Sequence, residues 1–266
     1  MNLDLEKICA DASRVITAVG AFIKSEIGNV AAQNISDKSL NNLVSYVDQT
    51  AERRLVEGLL AVLPESGILG EEGSAQTGTN SYRWVIDPLD GTTNFLHGLP
   101  FFSISVALQH QEKELVMGIV YEVVRGELFC AWQGGLAYCN GAPIRVSDTR
   151  TLADSLVATG FPYYKFNDLQ PYMEVLQTLM QGTRGIRRLG SAALDLAYVA
   201  CGRFDMYFEY NLQAWDVCGG AFIVQQAGGA VTDFRGGDTF HDGQAIVASN
   251  GHLHDATLNI IKTHFV

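Results

Sequence analysis

Two aspartates flank a proline and a leucine in Asp87-Pro88-Leu89-Asp90, directly after the apolar run Trp84-Val85-Ile86 and directly before Gly91-Thr92-Thr93-Asn94-Phe95. The proline fixes its own φ and carries no amide hydrogen, so a strand is not expected to continue through it. Both carboxylates can then leave the sheet edge on one side with the Leu89 carbonyl between them, and hard oxygen donors of this kind suit magnesium. Gly91 permits a tight backbone, and Thr92-Thr93-Asn94 reads as the first turn of a short helix whose unpaired amides favour an anion such as phosphate. Metal ligands beside an anion-holding helix start make a phosphoryl-transfer arrangement. The plainer reading of the same residues is an Asp-Gly turn and an N-capped helix.

Other carboxylates lie far away in the chain. In Gly70-Glu71-Glu72-Gly73-Ser74 adjacent like charges repel, so the pair reads as a solvated turn unless another acidic cluster needs it. Asp216, between Trp215 and the small-residue run Val217-Cys218-Gly219-Gly220-Ala221, has the position of an ordinary helix N-cap. Glu209 is predicted to end an otherwise apolar strand, where layered α and β proteins tend to carry sites. Gly190-Ser191-Ala192-Ala193 reads as another helix start with a small, close backbone and one hydroxyl.

The elements that position these residues follow from hydrophobic period. Apolar residues from Leu5 to Ile27 recur in the i, i+3, i+4 rhythm of an amphipathic helix, and Val47, Ala51, Leu55, Leu59 and Val62 mark a second helix closed by Pro64. The polar stretch from Asn34 to Asn42 between them reads as a loop. Residues 102–108, 115–123 and 127–132 have strand character, with Gly134-Gly135 and Asn140-Gly141 as turns of a meander. The second half alternates: a strand at 156–159, helices through Leu179 and over 191–201, a strand at 204–209, a helix at 216–227, two short strands and a final helix at 252–262. A seam near residues 146–155 divides one domain into two closely packed halves, about 1–150 and 151–266.

With 266 residues, 47% hydrophobic and 18% charged, the chain has the composition of a globular protein rather than a disordered or fibrous one. A formal net charge of −11 disfavours nucleic-acid and anionic-membrane partners, and an anionic substrate then needs a locally positive site, most simply bound cations. No run approaches the roughly 18 apolar residues of a membrane span and no cationic leader opens the chain. Five cysteines, at 9, 130, 139, 201 and 218 and with no C-x-x-C pair, read as buried free thiols. Together these point to a cytoplasmic protein. The six histidines are scattered, and His252-Leu253-His254 reads as a helix start rather than a zinc site.

Taken together, Gly70 to Ser74, Trp84 to Phe95, Gly190 to Ala193 and Trp215 to Gly229 resemble, in order and spacing, the motifs of the inositol monophosphatase family, and the resemblance spans essentially the whole chain. It implies an α+β fold, a layered α-β-α-β-α sandwich with a mainly antiparallel N-terminal sheet and a mixed C-terminal one. It also implies that Glu71, Asp87, the Leu89 carbonyl, Asp90 and Asp216 ligate two or three Mg2+ ions, with Glu71 and Thr92 orienting the attacking water. Phosphate would rest on the Gly91 and Thr92 amides beside Asp90 and Asp216, while Gly190, Ser191, Ala192 and Glu209 would line the alcohol half. A small polyol phosphate, typically myo-inositol monophosphate, and a homodimer come with the family. Relatives cleaving fructose 1,6-bisphosphate or 3'-phosphoadenosine 5'-phosphate are disfavoured by the compact length and by the lack of an evident basic cluster. A non-catalytic regulatory subunit should have lost ligands, and no expected acidic position is missing. The sequence departs from the pattern in one loop, where Lys38 is followed by neutral Asn42 at a position that is commonly acidic; Lys38 is a participant only by resemblance.

Overall fold

The computed structural model describes residues 3–30, 35–39, 42–111, 114–162 and 167–265. The side chains of Lys38 and Asn42, and all of Tyr163 and Tyr164, lie outside the described residues.

The first half runs α1 (Leu5–Ser25), β1 (Ile35–Ser39), β2 (Asn42–Ser45), α2 (Tyr46–Val62), β3 (Gly67–Gly70), β4 (Ala75–Gln76), β5 (Tyr82–Asp90), α3 (Thr92–Leu96), β6 (Ser103–His110), β7 (Glu114–Glu122), β8 (Glu127–Trp132), β9 (Ala137–Cys139) and β10 (Ala142–Pro143). The second runs β11 (Leu156–Thr159), α4 (Leu169–Gly182), β12 (Gly185–Arg187), α5 (Ala192–Ala200), β13 (Met206–Gln213), α6 (Ala214–Gln226), β14 (Ala230–Thr232), β15 (Gly243–Ser249) and α7 (His254–His264).

Eight strands in the order β10-β9-β8-β7-β6-β5-β3-β4 form the first sheet, antiparallel except for the β3–β5 pair. Five in the order β12-β11-β13-β15-β14 form the second, which mixes parallel and antiparallel pairs. Helices α1 and α2 cover the outer face of the first sheet around Ile16, Leu55, Trp84 and Ile104. Helices α5 and α6 fill the space between the sheets around Leu196, Ile223, Phe129 and Tyr207, and α4 with α7 covers the far face around Tyr172, Phe208 and Ile261. The layering is therefore α-β-α-β-α, as the resemblance implies. The reason is visible in the middle helices: every residue of α5 is buried, as an element pressed between two sheets must be.

Local expectations need five corrections. The polar stretch before α2 contains a hairpin, with Ile35 opposite Ser45 and Asp37 opposite Leu43; a two-stranded ribbon held by backbone bonds leaves no apolar alternation to read. Strand β5 does run through Pro88. Its register with β6 passes from Asp87–Ser105 to Asp90–Ser103, so Pro88 and Leu89 oppose one residue in a bulge where no ladder donor is required. Strand β13 continues past Glu209 to Gln213, because β15 goes on pairing with it beyond a shift at Tyr210/Leu212. Asp216 lies inside α6 rather than capping it, with Gln213 at the N-cap. All five cysteines are free; Cys9 and Cys218 are buried, but the other three are only half-buried. No helix among the described residues is long and apolar enough to cross a membrane.

Candidate active site

The bulge in β5 delivers Asp87 and Asp90 to one end of the first sheet. Asp87 is 1% exposed, and its Oδ1 accepts a bond from the Leu89 amide at 2.9 Å, a turn that also shapes the Leu89 carbonyl. Asp90 Oδ2 reaches across to the second half of the chain, accepting the Ser191 hydroxyl and the Ala193 amide, each at 2.7 Å. Asp216 Oδ2 accepts the Gln213 amide at 2.7 Å. Each aspartate thus commits one oxygen to the local frame.

Glu71 joins them from the turn after β3, hydrogen-bonding to Asp87 through its side chain. Burial, and then the charges of Glu71, Asp90 and Asp216, hold the Asp87 carboxyl well above the usual range. Burial pushes Asp90 up to about 7 against the lowering bonds from Ser191 and Ala193. Asp216 is raised well above its ordinary value by burial and by Asp90 and Glu71. Repulsion of this kind marks a place for external positive charge. As placed, no three His, Cys, Asp or Glu side chains among the described residues form a ready-made ion cage. Two facing carboxyls bonded to each other share a proton, and a dication binding the oxygens would take that proton's place. The all-oxygen donor set fits Mg2+.

The anion-holding side is built by close backbone approach. Gly91 has φ 99°, and a Cβ there would meet the Phe101 carbonyl at 3.1 Å and the Gly190 carbonyl at 3.2 Å. Asn94 clamps the same junction, its Nδ2 donating to the Phe101 carbonyl at 2.7 Å and the Leu189 carbonyl at 2.8 Å. Helix α3 opens at Thr92 as expected, leaving its first amides without intrahelical acceptors. The Thr92 Oγ1 lies 2.9 Å from Asp48 Oδ1 and 3.0 Å from the Leu89 carbonyl. Its one proton goes to one of these acceptors, so the hydroxyl can only accept from a third group.

Glu209 stands just past the end of β11, whose last partner on β13 is Phe208. The carboxylate packs against Gly160, where a Cβ would come within 2.0 Å of it, and accepts the Tyr207 hydroxyl at 2.7 Å. Burial pushes it up to about 6, opposed by Tyr207 and Arg188. Ser191 caps α5, donates to Asp90 and meets Ser103 Oγ at 3.1 Å, which sets Gly190, Ser191 and Ala192 beside Asp90.

The structure thus brings together Glu71, Asp87, Leu89, Asp90, Thr92, Asp216, Gly190 to Ala192 and Glu209. Sequence reasoning missed the parts played by Asp48, Asn94, Arg188 and Asp195. The capping box of Ser45 and Asp48 was a readable signal; nothing local announced the others.

A sequence profile described as the inositol monophosphatase family matches residues 4–264. The chain is 40% identical to the Nus factor SuhB of Pseudomonas aeruginosa, covering 95% of each chain, and 40% identical to the inositol-1-monophosphatase of Rhizobium meliloti, covering 94% of each. The crystal structure of the extragenic suppressor protein suhB from Bartonella henselae superposes with a TM-score of 0.88 at 39% identity, over 94% of this chain and 96% of that one. The chain belongs to the inositol monophosphatase family and is a phosphoric monoester hydrolase.

Proposed function

We propose that the reaction is Mg2+-dependent hydrolysis of small polyol phosphates, foremost myo-inositol monophosphate, by direct in-line attack of water. The observation that carries this is the mutual charge coupling of Glu71, Asp87, Asp90 and Asp216, with the three aspartate carboxyls raised by burial and by one another. Glu71, Asp87, the Leu89 carbonyl, Asp90 and Asp216 would hold two or three ions. Bound there, Mg2+ would neutralise phosphate charge and make a nucleophilic water available near neutral pH.

Thr92, its proton given to Asp48 or Leu89, accepts from the attacking water and aims a lone pair away from itself. Glu71 orients the same water. The amides of Gly91 and Thr92 hold phosphate oxygens at the start of α3. Glu209, fixed by Tyr207, accepts from the hydroxyls of the alcohol, and an analogue lacking them would leave it buried and unpaired. No side chain has to become phosphorylated.

The test is phosphate release from a panel of inositol, sugar and nucleotide phosphates with and without Mg2+. Inositol monophosphates are expected to be turned over fastest, and only with the metal. Equal rates without it would overturn the mechanism. A second reading rests on the relatives named Nus factor SuhB: the chain also serves as such a factor. An Asp90→Asn protein that kept that role while losing hydrolysis would support it. The cytoplasmic location is supported by the five free cysteines, and the homodimer by family resemblance alone.

A further inference from the structure

Helix α2 carries two carboxylates one helical turn apart, Asp48 and Glu52, which are 1% and 2% exposed. Positions i and i+4 share a face, so both point toward the cleft side of the helix. Asp48 reaches Thr92, as described above, while its Oδ2 accepts the Ser45 amide at 2.8 Å and the Ser45 hydroxyl at 2.7 Å. Glu52 reaches the other flank. Its Oε2 accepts the Glu72 amide at 2.7 Å and its Oε1 the Ser74 amide at 2.9 Å.

These bonds bracket Glu71. Its own amide is tied to the Ile86 carbonyl at 3.1 Å, next to Asp87, and the turn is closed by Gly70 N–H donating to the Ser74 carbonyl at 2.7 Å. Gly70 has no room for a side chain, since a Cβ would lie 2.5 Å from Glu52 Oε2. The turn is therefore registered against β5 on one side and against α2 on the other, and Glu71 sits at the junction.

We propose that Glu52 is a positioning residue for Glu71, holding the turn that carries it in register between α2 and β5. The proposal rests on the reading of Glu71 as a metal ligand. It makes a sharp chemical demand: both oxygens of Glu52 must accept. A glutamine has the same shape but presents NH2 where the second oxygen was, so one backbone N–H would face another N–H. Outer groups that orient ligands commonly contribute roughly 10–100-fold to metal affinity.

The experiment compares wild type, Glu52→Gln, Gly70→Ala and Leu59→Ala. Leu59 is fully buried on the same helix, so its truncation costs stability through a cavity without touching the turn. Binding of Mg2+ alone is measured by calorimetry without substrate, alongside urea unfolding and the Mg2+ dependence of phosphate release. Glu52→Gln and Gly70→Ala should each weaken Mg2+ binding about tenfold or more and raise the half-saturating Mg2+ equally. The substrate KM at saturating metal should stay within about twofold. Leu59→Ala should lower stability and leave Mg2+ affinity in place. Unchanged affinity in Glu52→Gln, or an equal loss in Leu59→Ala, overturns the proposal while leaving the hydrolase reading intact. A wild type that binds no Mg2+ overturns both, and one that binds Mg2+ but hydrolyses nothing overturns only the reading of function.

Discussion

Two sets of buried carboxylates meet at the end of the first sheet, and they are treated in opposite ways. On α2, Asp48 and Glu52 spend their oxygens on donors: Ser45, Thr92, Glu72 and Ser74. In the cleft, Asp87, Asp90 and Asp216 each give one oxygen to the frame and face one another with the rest, so burial and repulsion raise all three carboxyls. Charge and burial alone do not separate architecture from chemistry; the count of donors does. A carboxylate whose lone pairs are used holds the backbone, and one whose lone pairs are left over awaits a cation.

The largest effect expected from this contrast is in Asp90→Asn and Asp87→Asn. Each should lower kcat by on the order of 10³-fold, as loss of a charge at the reacting centre does, without loss of stability in metal-free buffer. Parallel losses of activity and folding would put these residues in the structural set and erase the distinction. Next is the metal itself. Folded carboxyls raised above their unfolded values keep protons that the unfolded chain has released, so metal-free stability should fall as pH rises from about 4 through the Asp90 value of about 7. Mg2+ at a hundred times its Kd should add about 2.7 kcal/mol, and the shift in melting temperature should be larger at pH 8 than at pH 5. A shift independent of pH would mean that the ion binds elsewhere.

On the other side of the comparison, Asp48→Ala strands the Ser45 amide and hydroxyl and frees Thr92. Unlike the cleft variants it should cost about 1–3 kcal/mol in urea unfolding, with a smaller fall in kcat. A fall in kcat with no change in stability would place Asp48 among the chemical residues.

The sequence was most legible where one motif does one job. The stretch from Trp84 to Phe95 declared a strand, a turn and a helix start, and all three occur, although the strand runs on through Pro88 to Asp90 where a stop was expected. It was least legible where a position is defined by a distant partner. Glu209 looks like a strand end because polar residues follow it, yet pairing with β15 carries the strand to Gln213. Glu71 looks like a solvated turn because the amides that fix it are claimed by Glu52, nineteen residues upstream of Glu71 and on another element. The clamp made by Asn94 and the burial of Asp195 have no local signature, since the first depends on the Phe101 and Leu189 carbonyls and the second on the packing around α5.

Asp195 belongs to neither set, which makes it the finest test of the rule. It lies in the first turn of α5, one turn below Ser191, at 1% exposure, and its Oδ1 meets no hydrogen-bond partner among the described residues. Burial first, then Glu209 and Asp90, raise its carboxyl well above the ordinary value, with Arg188 opposing. It is buried like Asp48 but lacks a donor at Oδ1, and burial with the charges of Glu209 and Asp90 keeps it neutral when folded. The folded state therefore keeps a proton that the unfolded chain loses, and stability is forfeited as pH climbs from about 3.9 toward the folded value. Asn is neutral at every pH and nearly the same shape. In saturating Mg2+, which fixes the charge of the ligand carboxylates, Asp195→Asn should match wild type at pH 4 and exceed it by about 1 kcal/mol at pH 8 in urea unfolding. A constant offset at both pH values, or a less stable variant at pH 8, would mean that Asp195 is ionised and paired, and that a missing donor does not keep a buried carboxyl neutral.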